Sequence, residues 1–168
     1  RHRLFDTVDK GGKRMEDLLA NMRAFSLADQ QANSGTCCLN DIYTQITQNF
    51  SRLNIQVENN DLQLPAEANT LTIILTHLLE NAQQHGAKNV VLTAQPTGEG
   101  KSLRIADDGP GISAGNADKI LQPFFTTRRD SGGTGMGLNI VKATVEAIGG
   151  ELVVVASSNG ACFEIKFG

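Results

Sequence analysis

Two carboxylates and two glycines stand close together in Asp107-Asp108-Gly109-Pro110-Gly111-Ile112, directly after a short apolar strand pattern, Leu103-Arg104-Ile105-Ala106. Burying the carboxylate of Asp107 costs free energy unless it accepts hydrogen bonds, and the exocyclic amine of adenine is a donor that would satisfy it. Gly109 and Gly111 allow φ > 0 and leave room for a flat ring against bare backbone. Taken alone, an Asp beside Gly is most often a turn residue. Its neighbours on either side in the chain sharpen the reading.

Upstream lies His77-Leu78-Leu79-Glu80-Asn81-Ala82-Gln83-Gln84-His85. His77, Asn81 and Gln84 or His85 fall on one helical face, beside an apolar face of Leu71, Ile74, Leu75, Leu78 and Leu79. The side chain of Asn81 offers a neutral carbonyl oxygen. Mg²⁺ takes oxygen ligands, keeps several waters and needs few protein groups when substrate phosphates share the coordination. Downstream lies Gly132-Gly133-Thr134-Gly135-Met136-Gly137-Leu138, feeding an apolar helix with Ile140, Val141, Val145 and Ile148. A glycine-rich turn entering a helix N-terminus presents free N–H groups and the positive dipole end, a site for phosphate. No strand leads into it within a βαβ unit, and no G-x-x-x-x-G-K-[ST] occurs, so neither the dinucleotide fingerprint nor a P-loop fits. Between these two glycine clusters, Leu121-Gln122-Pro123-Phe124-Phe125-Thr126-Thr127-Arg128-Arg129-Asp130 reads as a lid over a nucleotide, with Arg128 in reach of a terminal phosphate.

These residues need a scaffold. Residues 1–28 place Leu4, Val8, Gly11, Met15, Leu18, Met22 and Phe25 at alternating spacings of four and three, a heptad seam that fits either a dimerising helical stalk or an amphipathic helix on the domain's own core. Gly11 and Gly12 weaken that helix by roughly 1 kcal/mol each, so it needs a partner. A polar linker, Gln30 to Thr36, follows. Asn40 is expected to cap a helix running to about Arg52. Leu53, Ile55 and Val57 alternate as a strand. Pro65 and Ala66 are expected to open a long helix through about His85, closed by Gly86. Val90 to Ala94 and Leu103 to Ala106 read as strands, Met136 to Ile148 as a helix, and Leu152 to Ala156 with Cys162 to Phe167 as a final hairpin. Strands in hairpins with helices between them predict an α+β fold, a two-layer α/β sandwich.

At 168 residues the chain can bury one real core. A composition of 40% hydrophobic and 20% charged residues is ordinary for a globular protein. With a net charge of −3, no global basic field favours nucleic acid or anionic membrane, so an anionic ligand must be held locally. The apolar run Leu71 to Leu79 is too short to span a bilayer. Cys37, Cys38 and Cys162, odd in number and without C-x-x-C spacing, argue against a disulfide framework or a zinc site and fit a reducing cytosol. The start at Arg1 predicts a piece of a longer protein.

Together, His77-x-x-x-Asn81, Asp107-x-Gly109-x-Gly111, Gln122-Pro123-Phe124-Phe125 and Gly133-x-Gly135-x-Gly137 resemble the N, first glycine, F and second glycine boxes of sensor histidine kinases. These kinases belong to the wider superfamily that includes gyrase, the heat-shock chaperone and mismatch-repair ATPases. The resemblance covers residues 37–168 as a catalytic ATP-binding domain. Residues 1–30 are similar to the end of a dimerisation and phosphoacceptor helix. It implies a histidine-kinase ATPase fold, ATP and Mg²⁺ as cofactors, and a role for Asn81 in holding the metal. It further implies Asp107 on the adenine amine, with Gly109, Gly111 and Ile112 walling the base. Gln84 and His85 would face the nucleotide from the helix, Thr126, Thr127 and Arg128 from the lid, and Gly133, Thr134, Gly135, Met136, Gly137 and Leu138 would hold the phosphates. Asn81 and Arg128 would carry the catalytic roles. The implied partners are a response regulator receiver domain and a second copy of the chain, with any membrane anchor in the parent protein rather than here.

Three positions depart from the family pattern: His77 replaces the usual first Asn of its box, Gln84 a common Lys or Arg, and Ala161 a common Thr. The family's hydrolases carry a water-activating Glu at position 77, so hydrolysis is not the expected reaction. None of His2, His77 and His85 has the His-Glu or His-Asp context of a phosphoacceptor, which places the acceptor upstream of Arg1. The rival readings are an anti-sigma-factor-type serine kinase and a degenerate nucleotide-binding scaffold.

Overall fold

A computed structural model describes residues 35–127 and 135–168. The heptad seam of residues 1–28, and Arg128, Gly133 and Thr134, lie outside the described residues. The elements, in chain order, are α1 (Leu39–Asn49), β1 (Asn54–Glu58), α2 (Ala68–Gln84), β2 (Asn89–Thr97), β3 (Gly100–Asp107), a short α3 (Ala114–Ala117), α4 (Gly137–Ala147), β4 (Gly150–Val155) and β5 (Cys162–Phe167).

The strands form one sheet in the order β1-β2-β3-β5-β4. The β2–β3 hairpin and the β4–β5 hairpin follow the expectation, and β3 pairs with β5 antiparallel, Ile105 opposite Phe163. The first strand differs: β1 runs parallel to β2, with Ile55 opposite Val90. A parallel neighbour requires a crossover rather than a tight turn, and α2 is that crossover. Alternation along the strands sends Val90, Leu92, Ala94, Leu103, Ile105, Phe163 and Ile165 to one side, all buried. Against them pack Leu71, Ile74, Leu75, Leu78 and Leu79 of α2 and Val141 and Val145 of α4, so the core lies between one sheet face and the helical layer. The fold is the two-layer α/β sandwich that the pattern predicts.

Helix ends account for the remaining differences. The start of α1 falls at Cys38, not Asn40: the Asp41 carboxylate accepts from the Cys38 N–H at 3.0 Å and from its thiol at 3.2 Å. A carboxylate three residues into a helix satisfies an otherwise orphaned donor and suits the positive dipole end. Similarly, α2 opens at Ala68 after Glu67 rather than at Pro65-Ala66, which precede it. Its C-terminus is closed as expected. Gly86 has φ +85°, its N–H donates to Gln83 at 3.1 Å, and the Ala87 N–H donates to Ala82 at 3.0 Å. That is a Schellman ending, which needs a left-handed residue at Gly86.

Candidate functional site

The long helix α2 positions one wall of a cavity of about 340 Å³. His77, Glu80, Asn81, Gln84 and His85 all line it, one turn after another along a single face. The opposite face of the same helix is buried in the core, which fixes the rotation of this polar stripe. The side-chain amide of Asn81 has no hydrogen-bond partner among the described residues. His77 Nδ1 lies 3.5 Å from Oε2 of Glu80, whose side chain is exposed at the rim.

The second wall comes from the end of β3. Asp107 is the last residue of the strand, and its Oδ1 accepts from the Gly109 N–H at 2.8 Å and the Ala161 N–H at 3.1 Å. The Asp107 N–H in turn donates to the Ala161 carbonyl at 2.9 Å. Ala161 therefore lends no hydroxyl, yet its main chain meets Asp107 twice, its N–H on the carboxylate and its carbonyl on the Asp107 N–H. Oδ2 accepts no hydrogen bond from any described residue, and Asp107 lines the cavity. One oxygen is fixed and the other is left for a donor. Gly109 itself stays out of the lining and serves as an anchor, whereas Gly111 and Ile112 do line it. Gly160, at φ +70°, packs so tightly on Asp107 that a Cβ there would fall on the Asp107 carbonyl.

The third wall is the start of α4. No side chain caps it, and the first N–H accepted within the helix is that of Ile140, by Met136 at 2.9 Å. The N–H groups of Gly137, Leu138 and Asn139 have no acceptor among the described residues, so this end carries unpaired donors and the positive end of the helix dipole. Gly135, Gly137 and Leu138 line the cavity, while Met136 is buried beside it. From the lid segment, Thr126 and Thr127 reach the cavity. Phe124 is 64% exposed at φ +64°, with its N–H on the Gly135 carbonyl at 3.0 Å.

The walls are set apart along α2. A Cβ on Gly137 would lie 3.9 Å from Nδ1 of His77, and one on Gly109 would lie 3.7 Å from Cβ of Ala87. His77 and His85, eight positions apart, are separated by roughly 12 Å at 1.5 Å per residue. The free carboxylate oxygen thus sits toward the C-terminal end of α2, and the uncapped amides sit two turns earlier. An elongated ligand with a donor at one end and anionic charge at the other fits this cavity. Its volume falls in the range of small-molecule sites.

Sequence reasoning omitted part of the lining. Pro110, Ser113, Asn116 and Ile120 enter through the segment around α3; Phe125, Ile140 and Phe163 supply apolar surface. Only tertiary packing brings these together. A stronger omission is Asp108, whose carboxylate accepts from the Lys88 N–H at 2.7 Å, the Asn89 N–H at 2.9 Å and Asn89 Nδ2 at 2.6 Å. Those bonds, the Asn89 main-chain one foremost, lower its pKa to about 2. The three cysteines are free and buried, and burial raises the Cys37 thiol to about 11, with Asp41 adding to the shift. Among the described residues, no cluster of three or more His, Cys, Asp or Glu could hold a metal, and no helix is long and apolar enough to cross a membrane.

Residues 66–168 match the family model described as Histidine kinase-, DNA gyrase B-, and HSP90-like ATPase. The chain belongs to this family. Within it, the named relatives are sensor kinases. The chain is 30% identical over 165 residues to the alginate biosynthesis sensor protein KinB of Pseudomonas aeruginosa, covering 90% of this chain and 28% of that protein. It is 33% identical over 161 residues to the sensor histidine kinase ZraS of Escherichia coli K12, covering 91% and 33%. The chain thus spans about a third or less of these relatives' length. The fold is similar to that of Acinetobacter baumannii histidine kinase AdeS (TM-score 0.75, 19% identity, 100% of this chain and 85% of that one). It is also similar to the catalytic domain of histidine kinase ThkA (TM-score 0.67, 24% identity, 79% and 93%). The chain contains a histidine-kinase-type ATPase domain.

Proposed function

We propose that this domain binds Mg–ATP and donates its γ-phosphoryl group to a histidine on a helix upstream of Arg1, from which it passes to an aspartate of a response regulator. The observation that carries the reading is the pairing, in one cavity, of a half-satisfied Asp107 carboxylate with the uncapped N-terminus of α4.

In this reading Asp107 Oδ2 accepts from the adenine amine. Gly111 and Ile112 wall the base, and the apolar surface of Ile140 and Phe163 excludes water from it. The amides of Gly137 to Asn139 take phosphate oxygens. Asn81 presents its amide oxygen to a magnesium ion. A single neutral oxygen, with no carboxylate cluster among the described residues, suits an ion that shares its shell with phosphates and water. Bound there, the ion would neutralise charge on the transferring phosphoryl group. The protein's part is then positioning and charge complementarity rather than covalent chemistry. Arg128, Gly133 and Thr134 complete the phosphate end in this account, with Thr126 and Thr127 beside them. We further propose that residues 1–30, which lie outside the described residues, supply the dimerising contact of the intact protein.

Two measurements test it. Titration with a non-hydrolysable ATP analogue and Mg²⁺ should give saturable binding that Asn81→Asp and Asp107→Asn each weaken. If both variants bind as the parent does, the site is misassigned. A chain extended upstream through the acceptor helix should become labelled from γ-³²P-ATP on histidine, an acid-labile linkage. Labelling on serine would instead support a serine kinase.

A further inference from the structure

We infer that Asp108, which lines no part of the cavity, is a positioning residue for it: it clamps the end of β3 to the chain leaving α2, and so fixes Asp107 relative to Asn81. The inference rests on the ATP-binding reading above and names a determinant of adenine selectivity within it.

The ladder between β2 and β3 ends at Val90 opposite Asp107. Beyond that pair the Asp107-to-Gly111 turn leaves the sheet, and the Asp108 side chain ties it back. One carboxylate oxygen takes the Lys88 and Asn89 N–H groups and the other takes Asn89 Nδ2, while the Asp108 N–H donates to the Asn89 carbonyl at 3.2 Å. Lys88 and Asn89 follow directly on Gly86-Ala87, the ending of α2. Asn89 is itself held by β1, its Oδ1 accepting from Asn54 Nδ2 at 3.0 Å, and the Asn54 N–H donates to the Lys88 carbonyl at 2.8 Å. The chain of contacts therefore runs from the helix bearing Asn81, through Lys88 and Asn89, to Asp108 and the turn that orients Asp107. The Asp107 carboxylate is held, among the described residues, only by groups on that turn and on the loop before β5, the N–H groups of Gly109 and Ala161. Freed from Asp108, the turn can shift as a unit and carry Oδ2 with it. Displacing Oδ2 weakens its charge-assisted hydrogen bond to the adenine amine, and a partial loss of that bond corresponds to about tenfold in affinity.

The experiment measures binding of non-hydrolysable adenosine and guanosine triphosphate analogues with Mg²⁺ to the full chain and its variants, with circular dichroism confirming the fold. Asp108→Ala should weaken the adenosine analogue about tenfold and the guanosine analogue less, narrowing the preference for adenine. Asp108→Asn keeps an oxygen for the two main-chain N–H groups and should recover most of the affinity. Asp108→Ala binding within twofold of the parent, equal losses for both nucleotides, or no recovery in Asp108→Asn would overturn the inference. Should Asp108→Ala fail to fold, Asn89→Ala carries the test: an affinity loss of about threefold is expected, and unchanged affinity overturns it. A parent chain that binds neither nucleotide removes the ATP reading and this inference with it. Binding lost in Asp107→Asn but kept in Asp108→Ala removes this inference alone.

Discussion

Replacing Asp107 by Asn changes one atom of the proposed base contact and leaves the surrounding frame in place. In the parent, Oδ1 is held by two main-chain donors at 2.8 and 3.1 Å. An asparagine must turn its only carbonyl oxygen toward those two N–H groups, because its amide nitrogen would oppose them. The NH₂ then takes the place of Oδ2. A donor faces the adenine amine where a charged acceptor stood. A hydrogen bond to a charged group contributes about 1.5–3 kcal/mol, so affinity should fall roughly 10- to 150-fold at 1.4 kcal/mol per decade. Isothermal titration with Mg²⁺ and an ATP analogue reads the loss directly. The inosine analogue offers a carbonyl in place of the amine, so it should lose less affinity or gain some, and the ratio of the two affinities should shift toward inosine. Thermal unfolding should change little, since the two main-chain bonds survive. An Asp107→Asn chain that binds the ATP analogue within about threefold of the parent, with an unchanged ratio to inosine, would refute the assignment of Oδ2.

Further expectations concern the frame. Asp108 has its pKa lowered from 3.8 to about 2. A depressed carboxyl pKa contributes stability that is fully present above the unfolded value and is lost as pH falls through the folded one. The urea midpoint of the parent should therefore exceed that of Asp108→Asn above about pH 4, with the gap closing between about pH 4 and pH 2; a gap that does not vary with pH would count against the clasp. Gly160→Ala places a Cβ on the Asp107 carbonyl at a left-handed φ of +70°, and should cost about 2 kcal/mol or more in urea unfolding together with nucleotide affinity. Cys37, Cys38 and Cys162 are buried, and the Cys37 thiol titrates only near 11. A thiol reagent at pH 8 should label none in the native chain within minutes and all three after denaturation.

The elements that repeat with a clean period were legible. The apolar stripe Leu71-Ile74-Leu75-Leu78-Leu79 announced α2, and because one face of a helix must be buried, the same stripe placed His77, Asn81, Gln84 and His85 together on the other. Gly86 announced where the helix stops, since only a left-handed residue closes it that way. The two hairpins were legible from their turns. The parallel partnership of β1 with β2 was not, because nothing local in Leu53-Ile55-Val57 distinguishes a parallel neighbour from an antiparallel one. Competition between neighbours hid the cap of α1: Asn40 has the better capping side chain, but Asp41 reaches back to Cys38. Asp108 was the costliest omission. Beside Asp107 it reads as a turn residue, and its donors, Lys88 and Asn89, lie 20 and 19 positions earlier. The apolar lining from Ile120, Phe125, Ile140 and Phe163 was hidden for the same reason: it exists only once the sheet and α4 have packed.

The central claim is that one nucleotide spans the cavity from Asp107 to the start of α4. Amide chemical-shift mapping of the chain with a Mg²⁺–ATP analogue tests it most directly. The account predicts saturable shifts at Gly109 and Ala161, whose N–H groups hold Asp107, and at Gly137, Leu138 and Asn139, whose N–H groups await an acceptor, all following one binding curve. Shifts at the α4 amides without shifts at Gly109 and Ala161, or none at either end, would contradict it.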